Sequence, residues 1–148
     1  MSNPFDVSRE TTLHVRDHCL CLHAQRAARA LARRFDEAFR PLGLTNGQFS
    51  LMMALNRPEP PTMGALAALL AMDRTTLTAA LKPLERRGLM DIGPDPRDRR
   101  RRVMTLTPSG RELLAKAVPV WVETHEEAER RLPAGAAEIL RAVLKAVS

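Results

Sequence analysis

The two ends of this chain carry helical patterns whose apolar faces are too extensive for the short middle segment to cover. From about Glu10 to Phe39 there is no Gly or Pro, and Leu20, Ala24, Ala27, Leu31, Phe35 and Phe39 recur at steps of three or four. That spacing predicts one amphipathic helix. Arg26, Arg29, Arg33 and Arg40 mostly fall away from the stripe, and Pro41 with Gly43 ends the element. At the other end, about Ala134 to Val147 repeats the pattern with Ala137, Leu140 and Leu144. Two copies related by a two-fold axis, the commonest oligomer symmetry, could cover these stripes mutually, so a homodimer is expected.

A chain of 148 residues fits one compact domain with helical arms rather than two large domains. Aromatic residues are 3% of it, with no Tyr, so the core must be built from Leu, Ala, Met and Val, which suits packed helices. The 23 basic against 17 acidic residues leave a formal charge of +6, which invites nucleic acid or an acidic membrane as partner. No stretch approaches the roughly 18 apolar residues that span a bilayer. The start MSNPFDVSRE lacks a signal peptide's basic-then-apolar order, so a cytoplasmic protein with no membrane partner is expected. Cys19 and Cys21 are too close to cross-link distant elements and read as thiols. With no Gly-rich phosphate loop, Ser-x-x-Lys, paired catalytic carboxylates or dense ligand cluster, neither an enzyme nor a cofactor or metal site is expected.

The middle of the chain has a different rhythm. Thr45 and Gln48 form a capping-box pair ahead of a helix with Phe49, Met52 and Leu55, closed by Arg57-Pro58-Glu59-Pro60-Pro61. Thr62 caps a short helix whose Leu66, Leu69 and Leu70 are expected to face inward. Asp73 caps the next, from about Arg74 to Arg87, with Leu77, Leu81 and Leu84 on one face and Gly88 at C′. Two helices joined by a tight turn outline a helix-turn-helix. Leu89–Ile92 and Val103–Leu106 read as short strands around a turn that includes Gly93-Pro94-Asp95-Pro96. Thr107-Pro108 then starts a helix carrying Leu114, Ala117, Trp121 and Ala128, which Leu132-Pro133 interrupts. The expected fold is mainly α with a small β-hairpin wing (α+β), a winged helix-turn-helix with N- and C-terminal dimerisation helices. Residues 46–107 would form the DNA-binding region, with a recognition helix at about 74–87 and a wing at about 89–107, while 1–45 and 108–148 would dimerise.

With the leucines of the recognition helix turned inward, its opposite side presents Thr75, Ala79, Lys82 and Arg86, flanked by Thr76 and Thr78 and preceded by Arg74. Hydroxyls can meet phosphates or base edges, small residues permit close approach, and Lys82 offers donors to guanine or phosphate. A solvated helix face would carry similar residues, but the hairpin tip does not share that reading. There the chain runs Arg97-Asp98-Arg99-Arg100-Arg101-Arg102, five arginines whose mutual repulsion gives folding no benefit. Such a cluster calls for an anion, and a narrow minor groove with flanking phosphates supplies one.

The chain resembles the MarR family of winged helix-turn-helix regulators over about residues 13–132. Met63–Arg87, the phrase Leu84-Glu85-Arg86-Arg87-Gly88-Leu89, the wing Asp95-Pro96-Arg97-Asp98-Arg99-Arg100 and the phrase Leu106-Thr107-Pro108-Ser109-Gly110 stand in that family's order and spacing. The resemblance implies a triangular homodimer with terminal helices at its interface. It implies that Arg100 is the minor-groove arginine and Asp98 the residue that orients it. Pro83 inside the recognition helix and Pro119 inside the following long helix depart from a regular pattern and are expected to disturb their helices.

The function these features imply is a sequence-specific DNA-binding transcription regulator, a homodimeric repressor on a pseudo-palindromic operator of double-stranded DNA. A small aromatic effector would release it. The alternative is a redox- or metal-responsive regulator acting through Cys19, Cys21 and nearby His14, His18 and His23. Cys21 resembles the reactive cysteine of the family's hydroperoxide-sensing branch in placement, but the tyrosines that surround that thiol have no counterpart here. His14 and His18 have an i, i+4 spacing that can seat two ligands of one metal. His125 is expected on the exposed side of its helix, and Trp121 and Met52 in the core or lining a ligand cavity.

Overall fold

The computed structural model describes residues 6–148, so the first five residues of the proposed 1–45 dimerisation segment lie outside the described residues. The N-terminal pattern forms two helices, not one: α1 spans Arg9–His18 and α2 Leu20–Phe39. Cys19 between them is extended (φ −69°, ψ 110°), and its Sγ accepts the Leu22 N–H at 3.4 Å, which makes it the N-cap of α2. His18 Nδ1 lies 2.8 Å from the His14 carbonyl, and His23 Nδ1 the same distance from that of Cys19. The thiol thus takes up one of the N–H groups that a break in a helix leaves orphaned. The residues at the break are not helix breakers, which is why the pattern alone predicts continuity.

Phe35 and Phe39 close α2 onto the core, and a 3-10 turn, Arg40–Leu42, ends at Gly43 in the left-handed region (φ 67°). Helix α3, Asn46–Leu55, opens on the expected capping box, Thr45 with Gln48, each bond 3.1 Å. Asp36 adds a long-range tie by accepting the Asn46 N–H at 2.7 Å. Helix α4, Met63–Leu70, is capped by Thr62, and α5, Arg74–Arg86, by Asp73. Leu66, Leu77, Leu81 and Leu84 are fully buried. Leu69 corrects the sequence reading: it is 62% exposed, and Ala67 takes the inward position. Both helices with internal prolines run on through them, α5 past Pro83 and α6, Pro108–Glu129, past Pro119.

Strand β1, Met90–Pro94, pairs antiparallel with β2, Arg102–Leu106, from Met90↔Leu106 to Pro94↔Arg102. Gly93 and Pro94 therefore belong to the strand instead of the turn, a tolerable arrangement because Pro94 ends an edge strand where a missing N–H costs little. The Met104 N–H donates to the Pro61 carbonyl at 3.2 Å, beside a Thr62–Val103 bridge, which pins the hairpin to the start of α4. The start of α6 is equally close to the sheet. A Cβ at Gly110 would stand 2.0 Å from the Leu89 carbonyl oxygen, so only glycine fits. Thr107 caps α6 through the Gly110 N–H at 3.0 Å and donates to the Gly88 carbonyl at 2.6 Å.

Helix α7, Ala136–Ala146, follows Gly135. Neither α1 nor α7 buries a residue, and Leu20, Leu31, Val122, Ile139, Val143 and Leu144 stand exposed. The C-terminal amphipathic pattern is uncovered, and the N-terminal one is covered only where Phe35 and Phe39 meet the core. No helix among the described residues is long and apolar enough to cross a membrane.

Candidate nucleic-acid interface

Helix α5 is ordered from within. Asp73 accepts the Thr76 N–H at 2.8 Å and the Thr76 hydroxyl at 2.7 Å. These bonds, the backbone one foremost, hold the Asp73 carboxyl below the usual carboxylate range. Thr78 returns its hydroxyl proton to the Arg74 carbonyl at 2.7 Å. Arg74, Thr75, Thr76, Thr78, Lys82 and Arg86 are all exposed, opposite the three buried leucines. Two of the three threonines thus spend their donors locally and can offer an external partner only acceptors. Thr75, Lys82 and Arg86 make no side-chain hydrogen bond or ion pair among the described residues, and so keep their donors. Arg87, the residue after the helix, turns away to donate to the Gly43 carbonyl at 2.7 Å.

The wing tip is also self-ordered, but by its aspartates. The Asp95 N–H donates to the Arg101 carbonyl at 2.8 Å, and Asp95 Oδ1 accepts the Arg97 N–H at 2.9 Å. Asp98 Oδ1 accepts the Arg100 N–H at 3.0 Å. Asp98 is therefore bonded to Arg100 through the backbone, setting where the residue sits. Arg97 reaches Glu59 at 3.6 Å across an exposed gap, an ion pair of little energetic weight that draws it to the α3–α4 loop. Arg99, Arg100, Arg101 and Arg102 are exposed, and their guanidinium groups have no acceptor among the described residues.

The cysteines and histidines form a separate group far up the chain. Cys19 is half-buried at the helix break, and Cys21 is exposed, its Sγ accepting from Gln25 Nε2 at 3.0 Å. His14 and His18 stack at 4.2 Å between ring centroids. Among the described residues no three His, Cys, Asp or Glu side chains gather at metal-holding distance. The redox- or metal-responsive alternative gains no support from this geometry. Met52 is fully buried core. Trp121 lies between Phe49 and His125, stacked at 6.5 and 4.6 Å. His125 is thus half-buried against Trp121 instead of facing outward.

A known family model, MarR family, matches residues 44–101, from the start of α3 through the capped helix pair to the basic tip of the wing. Transcriptional regulator HosA of Escherichia coli O157:H7 is 33% identical over 96 residues, 65% of this chain and 71% of HosA. The chain belongs to the MarR family. BadR, a transcriptional activatory protein of Rhodopseudomonas palustris, is 40% identical over 74 residues, 48% of this chain but only 42% of BadR. The alignment thus spans less than half of that relative's length. The fold agrees throughout with MosR of M. tuberculosis in complex with DNA, with a TM-score of 0.77 and 36% identity over 86% of this chain and 92% of MosR. These relatives are transcription regulators, not enzymes.

Proposed function

We propose that this MarR-family protein is a cytoplasmic, homodimeric transcription repressor that binds a pseudo-palindromic DNA operator, with residues 46–107 contacting DNA and the flanking segments 1–45 and 108–148 dimerising. The observation that carries this reading is the juxtaposition of an exposed, internally capped helix face with an adjoining hairpin whose Arg99–Arg102 guanidinium groups have no partner among the described residues. Thr75, Lys82 and Arg86 would read the major groove, Thr76 and Thr78 would accept from base or backbone donors, and Arg100 would enter the minor groove. Dimerisation is supported by surface. The chain exposes 10960 Å², where a compact monomer of this size exposes roughly 7600 Å². The excess includes the apolar faces of the terminal helices.

A small aromatic effector would act through the back of the recognition helix. A cleft of about 480 Å³ between α3, α4 and α5 has mainly apolar walls, including Leu51, Leu70, Ala80 and Pro83, with Gln48 and Ser50 offering polar contacts. A ligand wedged there touches the recognition helix from behind and shifts DNA affinity in proportion to its preference for one helix position. Binding-site selection from randomised duplex DNA tests the whole reading. The expected product is two inverted half-sites about one helical turn apart. Recovery of no enriched sequence, or of single half-sites, would sink it.

A further inference from the structure

The helix-turn-helix and the wing do not simply lie side by side; they enclose a cleft of about 450 Å³. Its floor is the first turn of α4, Thr62 to Gly64, and its walls are Arg74 from the start of α5 and Arg100, Arg101 and Arg102 from the wing. Among the described residues no carboxylate lines it. The opposite flank of the wing differs: there Glu59, Asp95 and Asp98 line the surface with Arg97 and Arg101. Four cations facing one small space repel one another, and none of their guanidinium groups bonds to the protein among the described residues.

The floor adds to the same sign of potential. The Thr62 hydroxyl accepts the Ala65 N–H at 3.2 Å, while the Met63 and Gly64 N–H groups belong to the first turn, where a helix supplies no acceptor. Gly64 leaves room for Arg74 at this turn. A Cβ at this position would stand 3.1 Å from Arg74 Nη2, so the missing side chain lets the guanidinium rest over that turn.

We propose that this cleft seats a single phosphodiester of duplex DNA, clamped between Arg74 and the wing, and that it locks the wing onto the recognition helix when DNA is bound. The proposal rests on the DNA-binding reading above and assigns Arg74 to the DNA backbone. One anion in contact with both elements links them, so a wing engaged in one groove holds the recognition helix in register in the next. Gly64 is a positioning residue that keeps the seat open.

The test uses the full chain, a selected operator and fluorescence anisotropy at several salt concentrations, with Arg74→Ala and Gly64→Ala. Arg74→Ala should weaken operator and random duplex alike by about tenfold and lower the salt slope by about one counterion. Gly64→Ala keeps every charge and favours the helix. It should lose about threefold or more in affinity for both duplexes while its thermal midpoint holds or rises. An operator scanned with single neutral methylphosphonates should contain one position per half-site whose neutralisation weakens wild type but adds nothing to Arg74→Ala. Arg74→Ala that changes which operators are preferred, with an unchanged salt slope, would overturn the proposal. So would a scan with no such position, in which case the DNA-binding reading stands without the seat. Wild-type protein that binds no duplex would remove both.

Discussion

The stretch from Phe35 to Ala117 and the helices beyond it solve the same problem in opposite ways. The first covers itself. Its buried leucines, methionines and phenylalanines interlock across α2, α3, α4, α5, the hairpin and the start of α6. The terminal helices α1 and α7 bury nothing within the chain, although the apolar periodicity of α7 is as regular as that of the recognition helix. Periodicity shows that a face must be buried but not whether the cover comes from the same chain. On the proposed reading, a DNA-reading module with its own core and arms covered by a second copy would make operator binding depend on both.

The largest test of that contrast is removal of residues 134–148. The truncated protein should sediment as a monomer and lose operator affinity by roughly a hundredfold or more, because the second half-site no longer benefits from being tethered to the first. A stable monomer that binds at full affinity would erase the distinction between the regions. Leu81→Ala probes the self-covered side. It deletes a fully buried side chain and should cost about 2–5 kcal/mol in urea unfolding. A loss well below that range would show that the module borrows stability from elsewhere.

Arg100→Ala sharpens the comparison from the interface itself. It should weaken operator binding by about 1–3 kcal/mol and reduce the salt slope by about one, with unfolding hardly altered, since no protein contact is removed. Asp98→Ala should give a smaller version, because it frees the Arg100 backbone from its 3.0 Å tie without deleting the charge. Lys82→Ala should instead change which sequences are preferred. An unchanged affinity and salt slope for Arg100→Ala would take the wing off the DNA.

The smallest effects are expected in the arms. Cys21→Ser should leave DNA binding and its response to organic peroxide unchanged, since the thiol is exposed and bonded only to Gln25. Peroxide release that disappears in the serine variant would revive the redox alternative. The acid limb of stability should include Glu129, whose carboxyl is held below its usual range by the Arg141 guanidinium at 2.7 Å and, more weakly, by His125. A lowered folded value means that its contribution is present above the ordinary carboxylate range and disappears as pH falls through the lowered value. Arg141 is exposed and Glu129 only partly covered, so the step should be slight. Arg141→Ala should flatten it in thermal melts below neutrality.

Most of the architecture could be read from local chemistry. The Thr45–Gln48 capping box, the Thr62, Asp73 and Thr107 caps, Gly88 after α5 and the inward leucines depend on neighbours a turn away, so their side chains alone specify them. The same holds for the basic wing tip, because like charges cannot be stabilised by one another. Tertiary structure decided whatever needed a partner far along the chain. It broke the N-terminal helix at Cys19, where the thiol caps an N–H that helical periodicity treats as bonded within one continuous helix. It turned Leu69 outward, since a short helix packed on one side has room for only part of its leucines. It kept Gly93 and Pro94 in the strand through pairing with Val103 and Arg102, and drew Arg97 toward Glu59. It also brought Gly64, Arg74 and Arg100–Arg102 around one cleft, a grouping invisible in sequence because it needs the wing folded back onto α4, and chain order does not encode that distance.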